Sequence, residues 1–340
     1  WITRRLAHEA SFLRSLDHPN ERSLHSAPTP RSGGIAILAS ILIGMGLAAV
    51  GYALMPQSKG FPPKGFASAS LWIVGSIALV TVVSFLDDRR GLPVGVRFGA
   101  QAAAAMIVVW GVGLKLSSVP IPLIGTVPLG WFSAPVSILF LLWMTNLYNF
   151  MDGMDGFAGG MTAIGFGFLA FFGWRAGHPF MLLATSVVAA SAVGFLMHNF
   201  PPARIFMGDV GSIPLGFTAG VLMLLGVRDR LFDIWVPLLI FSPFILDATV
   251  TVLRRAWRGA RIWEGHREHY YQRLVLSGWS HRRSVLMEYG LMAWCGGLAI
   301  LYQGAPDRWR VVILVVWAAI FAGLAWAVHR RESRADNGRR

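Results

Sequence analysis

Apolar residues in this chain come in long runs separated by short polar stretches. Runs of about 17–25 apolar residues are long enough to cross a bilayer as helices. Ten fit that pattern, at roughly 33–55, 68–86, 96–113, 132–148, 157–174, 179–198, 213–227, 232–253, 284–303 and 310–328. The pattern predicts an all-α polytopic membrane protein, with about ten transmembrane helices in one integral membrane domain over 1–340. Trp1 to Arg5 reads as the end of an interrupted segment, so an eleventh, N-terminal helix is expected to be mostly absent. Gly156 with Gly160, and Gly216 with Gly220, have the spacing of close helix packing.

Composition agrees. The chain is 55% hydrophobic and 14% charged, with a mean hydropathy of +0.55, whereas a soluble domain carries about 25% charged residues. The one cysteine, Cys295, lies in an apolar run, so no intrachain disulfide forms. The net charge of +13 would suggest a nucleic-acid partner in a soluble protein. Its distribution argues otherwise. With ten spans, 22 Lys and Arg fall on the side that holds both ends of the chain, against 8 on the other. The positive-inside rule makes the first side cytoplasmic, and topology with anionic headgroups accounts for the basicity. Trp110, Trp131, Trp174 and Trp309 fall where an aromatic belt would lie.

The few acids then become informative, because ionisable groups near a bilayer are costly and usually functional. Asp87 and Asp88 follow Val82-Val83-Ser84-Phe85-Leu86 at the cytoplasmic end of a span. A helix C-terminus disfavours negative charge, so Arg89, Arg90 or a metal ion is expected to compensate; a solvated helix end is the plain alternative. Asn146, Asn149, Asp152 and Asp155 recur every third residue, a helical-face spacing. Gly153 and Gly156 would let the backbone unwind beside a ligand. This reads as one wall of oxygen ligands in a cytoplasmic cleft, suited to Mg²⁺ with Mn²⁺ as the alternative; capping of the next helix would explain Asp155 alone. Asp209, in Phe206-Met207-Gly208-Asp209-Val210-Gly211-Ser212, opens another span, as an N-cap or as a metal ligand.

The stretch 254–283 carries eight Arg with Trp257, Trp263, Trp279, Tyr270 and Tyr271 interleaved, and reads as a cytoplasmic amphipathic loop. Its His266 and His269 lack an HExxH pattern or third ligand for zinc, and a phosphate-facing Arg267 and His pair fits better. Asp247 lies within a span, and Arg254 or a polar neighbour is its expected partner.

In this order the motifs resemble the polyprenyl-phosphate N-acetylhexosamine-1-phosphate transferases of glycosyltransferase family 4. These include undecaprenyl-phosphate GlcNAc-1-phosphate transferases and the phospho-MurNAc-pentapeptide translocase. The resemblance runs through Asp17-His-Pro-Asn-Glu-Arg-Ser-Leu-His, Pro28-Thr-Pro-Arg-Ser-Gly-Gly, Asp87-Asp88, Asn146 to Gly156, Asn199 to Ser212 and His266 to Leu274. It implies a bacterial inner-membrane, multi-pass enzyme with a cytoplasmic active site. The implied reaction moves a 2-acetamido-sugar 1-phosphate from a UDP-sugar to undecaprenyl phosphate and releases UMP.

By resemblance, Asp209 is the magnesium-binding aspartate with Asn149 nearby, Asp155 and Phe206 hold uracil, and Asp87 and Asp88 are the acidic pair of the catalytic centre. Arg97 is the cation near the acceptor phosphate, and His269 is the first histidine of a His-x-His-His loop. Asp152, Gly153, Asn199 and Arg267 are further candidate substrate-binding positions. Tyr271 and Gln272 replace the two later histidines and His266 an aspartate, which looks most like the O-antigen-initiating branch. A homodimer is an allowed assembly. The rival reading is a transporter of an anionic substrate using the acidic cluster, which would place its acids near the midplane and show repeat symmetry. A CDP-alcohol phosphotransferase would carry its aspartates in a single helix-borne run.

Overall fold

The computed structural model of the protein describes residues 3–4, 16–17, 28–54, 66–261 and 266–337. Most of the segment where an eleventh, N-terminal span was expected, with His18 to His25 and Trp263, lies outside the described residues. In chain order the helices are α1 (Gly33–Leu54), α2 (Phe66–Arg90), α3 (Val94–Met106, continued by a wider turn to Gly111) and α4 (Ser133–Phe150). After them come α5 (Phe157–Arg175), α6 (Pro179–Asn199), α7 (Asp209–Arg228), α8 (Trp235–Ile240) and α9 (Ser242–Trp257). The last three are α10 (Tyr270–Leu276), α11 (His281–Gly304) and α12 (Asp307–Asn337). Among the described residues nine of these, all but α8, α9 and α10, are long and apolar enough to cross a membrane.

The remaining expected span, 232–253, is present as two pieces. Pro243 stands in the first turn of α9 and has no N–H to continue the ladder from α8. The Leu239 carbonyl, which that N–H would have met, accepts instead from Ser242 Oγ at 2.7 Å. The broken pair still runs between opposite ends of the bundle. Trp235 Nε1 donates to Pro120 O at one end, and Arg255 meets Glu268 at the other. The loop order of the ten-span reading therefore stands.

Helix α7 is the axis of the bundle, with nearly every residue from Val210 to Gly226 buried. Its polar side is absent because it is surrounded by helices rather than by water. Gly216 and Gly220 let it close on α4: a Cβ at Gly216 would lie 2.5 Å from Met144 O. The other glycine pair works differently. Gly156 is a left-handed turn residue at φ 75°, and Gly160 faces the Tyr289 ring rather than a helix backbone.

Among the described residues, two short antiparallel strand pairs break the all-helical pattern. One pairs Leu16–Asp17 (β1) with Thr29–Pro30 (β2). The other pairs Ser118–Ile121 (β3) with Gly125–Pro128 (β4) at the far end. Trp110, Trp131, Trp174 and Trp309 also sit at that end, each more than half exposed, as belt residues facing headgroups would be.

Candidate active site at the helix ends

Helix α2 ends in its two acids, and the turn at Gly91 (φ 64°) sends them different ways. Asp87 ties the corner together. Its Oδ1 accepts from Leu92 N at 2.6 Å and its Oδ2 from Arg97 Nη1 at 2.8 Å. Asp88 reaches across to α7, where its Oδ2 accepts from Val210 N at 2.9 Å. Arg31 Nε lies 3.7 Å from Asp88 Oδ1, and Arg31 also donates to the Asp88 carbonyl. Compensation for the two acids thus includes Arg97, Arg31 and the positive start of α7, none of which was in the expectation of Arg89, Arg90 or a metal ion. Arg89 lies over the Phe85 ring at 4.7 Å.

Asp209 is the first residue of α7 and follows Gly208, which must be glycine because its φ is 73° and a Cβ there would lie 2.4 Å from Arg31 O. Asn149 Nδ2 donates to Asp209 Oδ1 at 2.8 Å and lies 3.1 Å from Ser212 Oγ. Arg97 Nη1 is 3.8 Å from Asp209 Oδ2, so one guanidinium stands between Asp87 and Asp209. Half-buried Asp152 closes the group. Burial, then the nearby Asp209 and Asp88 carboxylates, push its carboxyl well above the ordinary value.

The row of four oxygen ligands predicted for 146–155 is split. Asn146 Nδ2 donates to Gln101 Oε1 on α3 at 2.8 Å. Asn149 and Asp152 join the acidic cluster. Asp155 turns to the next loop, where its Oδ2 accepts from Ala203 N at 3.0 Å and lies 3.6 Å from His281 Nδ1. The reason is that α4 stops at Phe150, and i, i+3 spacing defines a face only while the helix lasts.

Asn199 is 4% exposed and is used internally at both ends. Its Oδ1 accepts from Gly156 N at 2.9 Å and its Nδ2 donates to Ile205 O at 2.8 Å. Phe206 is half-buried, and its backbone pairs with the 30–33 segment. Gly153 faces the Tyr271 hydroxyl.

The 254–283 stretch comes to the same end but is only partly an interfacial loop. Arg255 and Arg258 meet Glu268, and Arg254 donates to the Glu268 carbonyl at 2.9 Å. Arg273, 8% exposed, pairs with Glu332 of α12. Trp257, 94% exposed, keeps the interfacial character. Asp247 does not take Arg254 as its partner. Its Oδ1 lies 3.1 Å from His269 Nδ1 and accepts from Tyr270 N at 2.9 Å, while its Oδ2 accepts from Tyr271 N at 3.1 Å. His269 is buried beneath the Phe150, His266 and Tyr271 rings, and no contact joins it to Asp88 or Asp209. Arg267 is half-buried beside it.

Sequence reasoning gave no role to Arg31, Glu268, Tyr289 or His281. A basic residue in the quoted Pro28–Gly34 motif was the one available pointer, to Arg31.

No three His, Cys, Asp or Glu side chains among the described residues form a ready-made metal cage. The hard oxygens of Asp209, Asp88, Asp152 and Asn149 nonetheless suit an ion that takes few protein carboxylates and fills its shell with water and phosphate, the habit of Mg²⁺. Burial, then the neighbouring Asp209 and Asp88, disfavour a charged Asp152 carboxylate, and a cation among them would favour it.

Acidic oxygens interleaved with arginine, gathered at one end of a bundle of membrane-length apolar helices, form a site suited to a polyphosphate and a cation. Comparison with known proteins agrees: the glycosyl transferase family 4 model matches residues 70–227. The chain is 31% identical over 326 residues to a probable undecaprenyl-phosphate N-acetylglucosaminyl 1-phosphate transferase of Bacillus subtilis, covering 94% of this chain and 87% of that one. It is 32% identical over 350 residues to a decaprenyl-phosphate N-acetylglucosaminephosphotransferase of Mycobacterium leprae, covering 94% and 84%. To an undecaprenyl-phosphate alpha-N-acetylglucosaminyl 1-phosphate transferase of Escherichia coli O157:H7 it is 27% identical over 335 residues, covering 93% and 85%. The chain belongs to glycosyl transferase family 4.

Proposed function

We propose that this protein transfers a 2-acetamido-sugar 1-phosphate from a UDP-sugar to undecaprenyl phosphate at the cytoplasmic face of a bacterial inner membrane. The product, a lipid-linked diphosphate sugar, would start O-antigen or another cell-envelope polysaccharide. The carrying observation is the meeting of Asp88, Asn149, Asp152 and Asp209 at one helix-end site with Arg31 and Arg97. A groove of about 990 Å³ between α9, α10, α11 and α12 supports a lipid substrate, being lined mostly by apolar side chains such as Leu246, Val250, Leu291 and Phe321.

An oxygen of the acceptor phosphate attacks the sugar-bearing phosphorus of the donor in line. The bond from that phosphorus to the UMP oxygen breaks, and UMP leaves with the electron pair. A phosphate monoester has its second pKa near ~6, so the attacking group is already mostly dianionic at neutral pH and a strong base gains little. Asp87 and Asp88 therefore act by placement and field: Asp87 aims Arg97 at the site, and Asp88 fixes the start of α7. Arg97 and Arg31 offer planar forks to phosphate. Mg²⁺ held by Asp209 and Asn149 would neutralise the diphosphate and polarise the attacked phosphorus. Asp155 and Phe206 are the candidates for the uracil end. His269, paired to Asp247, and Arg267 are candidates for the sugar phosphate.

Purified protein incubated with undecaprenyl phosphate, Mg²⁺ and a panel of UDP-sugars is expected to release UMP with one or a few donors. Silence across the whole panel, with uptake of donor into sealed vesicles instead, would replace this reading with transport.

A further inference from the structure

The turn from Phe150 to Gly156, which carries Asp152 and Asp155, is gripped at both ends by tyrosine hydroxyls. Both come from beyond residue 227, where the match to the family model stops. Tyr271 Oη donates to Phe150 O at 3.2 Å, and Tyr289 Oη donates to Gly156 O at 2.6 Å. The first acceptor is the last carbonyl of α4, one of those a helix end leaves without an internal partner. Glycines make room for both rings. A Cβ at Gly153 would come within 2.3 Å of the Tyr271 hydroxyl oxygen, and one at Gly160 within 1.9 Å of the Tyr289 ring. Tyr271 is itself fixed, being fully buried, 4.8 Å from the Phe157 ring, with its N–H on Asp247.

Filling this space needs only phenyl rings. The hydroxyls add something else: each ends on a main-chain carbonyl of the one segment where the chain leaves helix beside the acidic cluster. Tyr271 stands, moreover, at a histidine position of the family's loop. Its hydroxyl is engaged with the backbone, which makes it a support and not a carrier of protons.

We infer that Tyr271 and Tyr289 are positioning residues of the transfer reaction: their hydroxyls fix the two ends of the 150–156 turn and so place Asn149 and Asp152 for the donor. The inference rests on the transferase reading above, and adds to it how the donor-side acids are held.

Tyr271→Phe and Tyr289→Phe test it. Each is expected to lower kcat about threefold to tenfold, the worth of one neutral hydrogen bond, with the KM for undecaprenyl phosphate unchanged and faster hydrogen exchange at amides 151–156. Tyr271→His, which restores the family's residue, is too short to reach Phe150 O and is expected to fall below Tyr271→Phe. Gly153→Ala is expected to be severe alone and partly rescued by Tyr271→Phe, which removes the atom it strikes. Tyr302→Phe, at the opposite end of α11, leaves both readouts unchanged. Wild-type turnover and exchange in both Phe variants would overturn the inference, as would a Tyr271→His enzyme equal to or better than wild type. The exchange measurement decides whether the turn is held even if the wild type transfers no sugar phosphate, so the two failures are distinct.

Discussion

The side-chain amide of Asn149 donates a 2.8 Å hydrogen bond to Oδ1 of Asp209, joining the end of α4 to the first residue of α7 across 60 positions of sequence. The contact puts an amide and a carboxylate in one first layer around a site, where a divalent ion and a diphosphate would share them. Nothing in the sequence distance foretells it. The close packing of α4 on α7 at Gly216 does.

Asp209→Asn is expected to cost at least about 100-fold in turnover, and Asn149→Ala about 10-fold with a higher Mg²⁺ requirement, in the range seen when groups around a metal site are removed. UMP release followed against Mg²⁺ concentration checks this. Both variants titrating like the wild type would remove these residues from the metal site.

Asp87 and Asp88 are adjacent but are expected to fail differently. Asp87 holds the α2–α3 corner and Arg97, so Asp87→Asn should lower the melting temperature by several degrees, as loss of a largely buried ion-pair partner does. Asp88→Asn keeps the shape of its contact to Val210 N, and should melt near the wild type while losing about 100-fold or more in kcat. Near-normal turnover of Asp88→Asn at every pH would refute its placement in the site.

The His266 contribution to stability should fall on mild acidification. Burial pushes His266 down from 6.5 to about 4, and its neighbours His269 and Arg255 push the same way. The unfolded chain takes up this proton near pH 6.5 and the folded chain near 4. Between those values this site holds more protons in the unfolded state, and its contribution to stability rises with pH. His266→Gln is therefore expected to lower the slope of melting temperature against pH between pH 5 and 6.5, measured in detergent. Equal slopes in the two proteins would show that His266 is not responsible.

Gly34→Ala should abolish activity by unseating the site rather than by touching it. Gly34 N donates to Met207 O at 2.8 Å, and a Cβ there would come 2.3 Å from the Gly211 backbone. Neither partner is a side chain that can swing away, so α1 and the 206–211 loop must separate. Membrane-extracted Gly34→Ala protein is expected to melt lower and to bind UMP weakly by calorimetry; wild-type binding would disprove it.

Span positions were readable because lipid asks one simple thing of a sequence: about twenty apolar residues in a row. That demand is local, and among the described residues nine spans appear where it is met. The span at 232–253 was legible as apolar but not as broken, since hydropathy ignores the missing N–H of Pro243. The acids were readable for the same reason in reverse, because Asp87, Asp88, Asp152 and Asp209 cost too much near a bilayer to be incidental.

Partnership is another matter. Sequence by itself determined which residues are polar at the helix ends, that those ends share one side, and the family whose motifs they carry. Only the tertiary structure decided that Asn149 meets Asp209, that Asn146 leaves the row for Gln101, and that Asp247 serves His269 instead of Arg254. Spacing specifies a face only while a helix continues. Once α4 ends at Phe150 the direction of each side chain is set by whatever packs against the turn, and those neighbours, from Arg31 to Tyr289, come from parts of the chain that no local pattern connects.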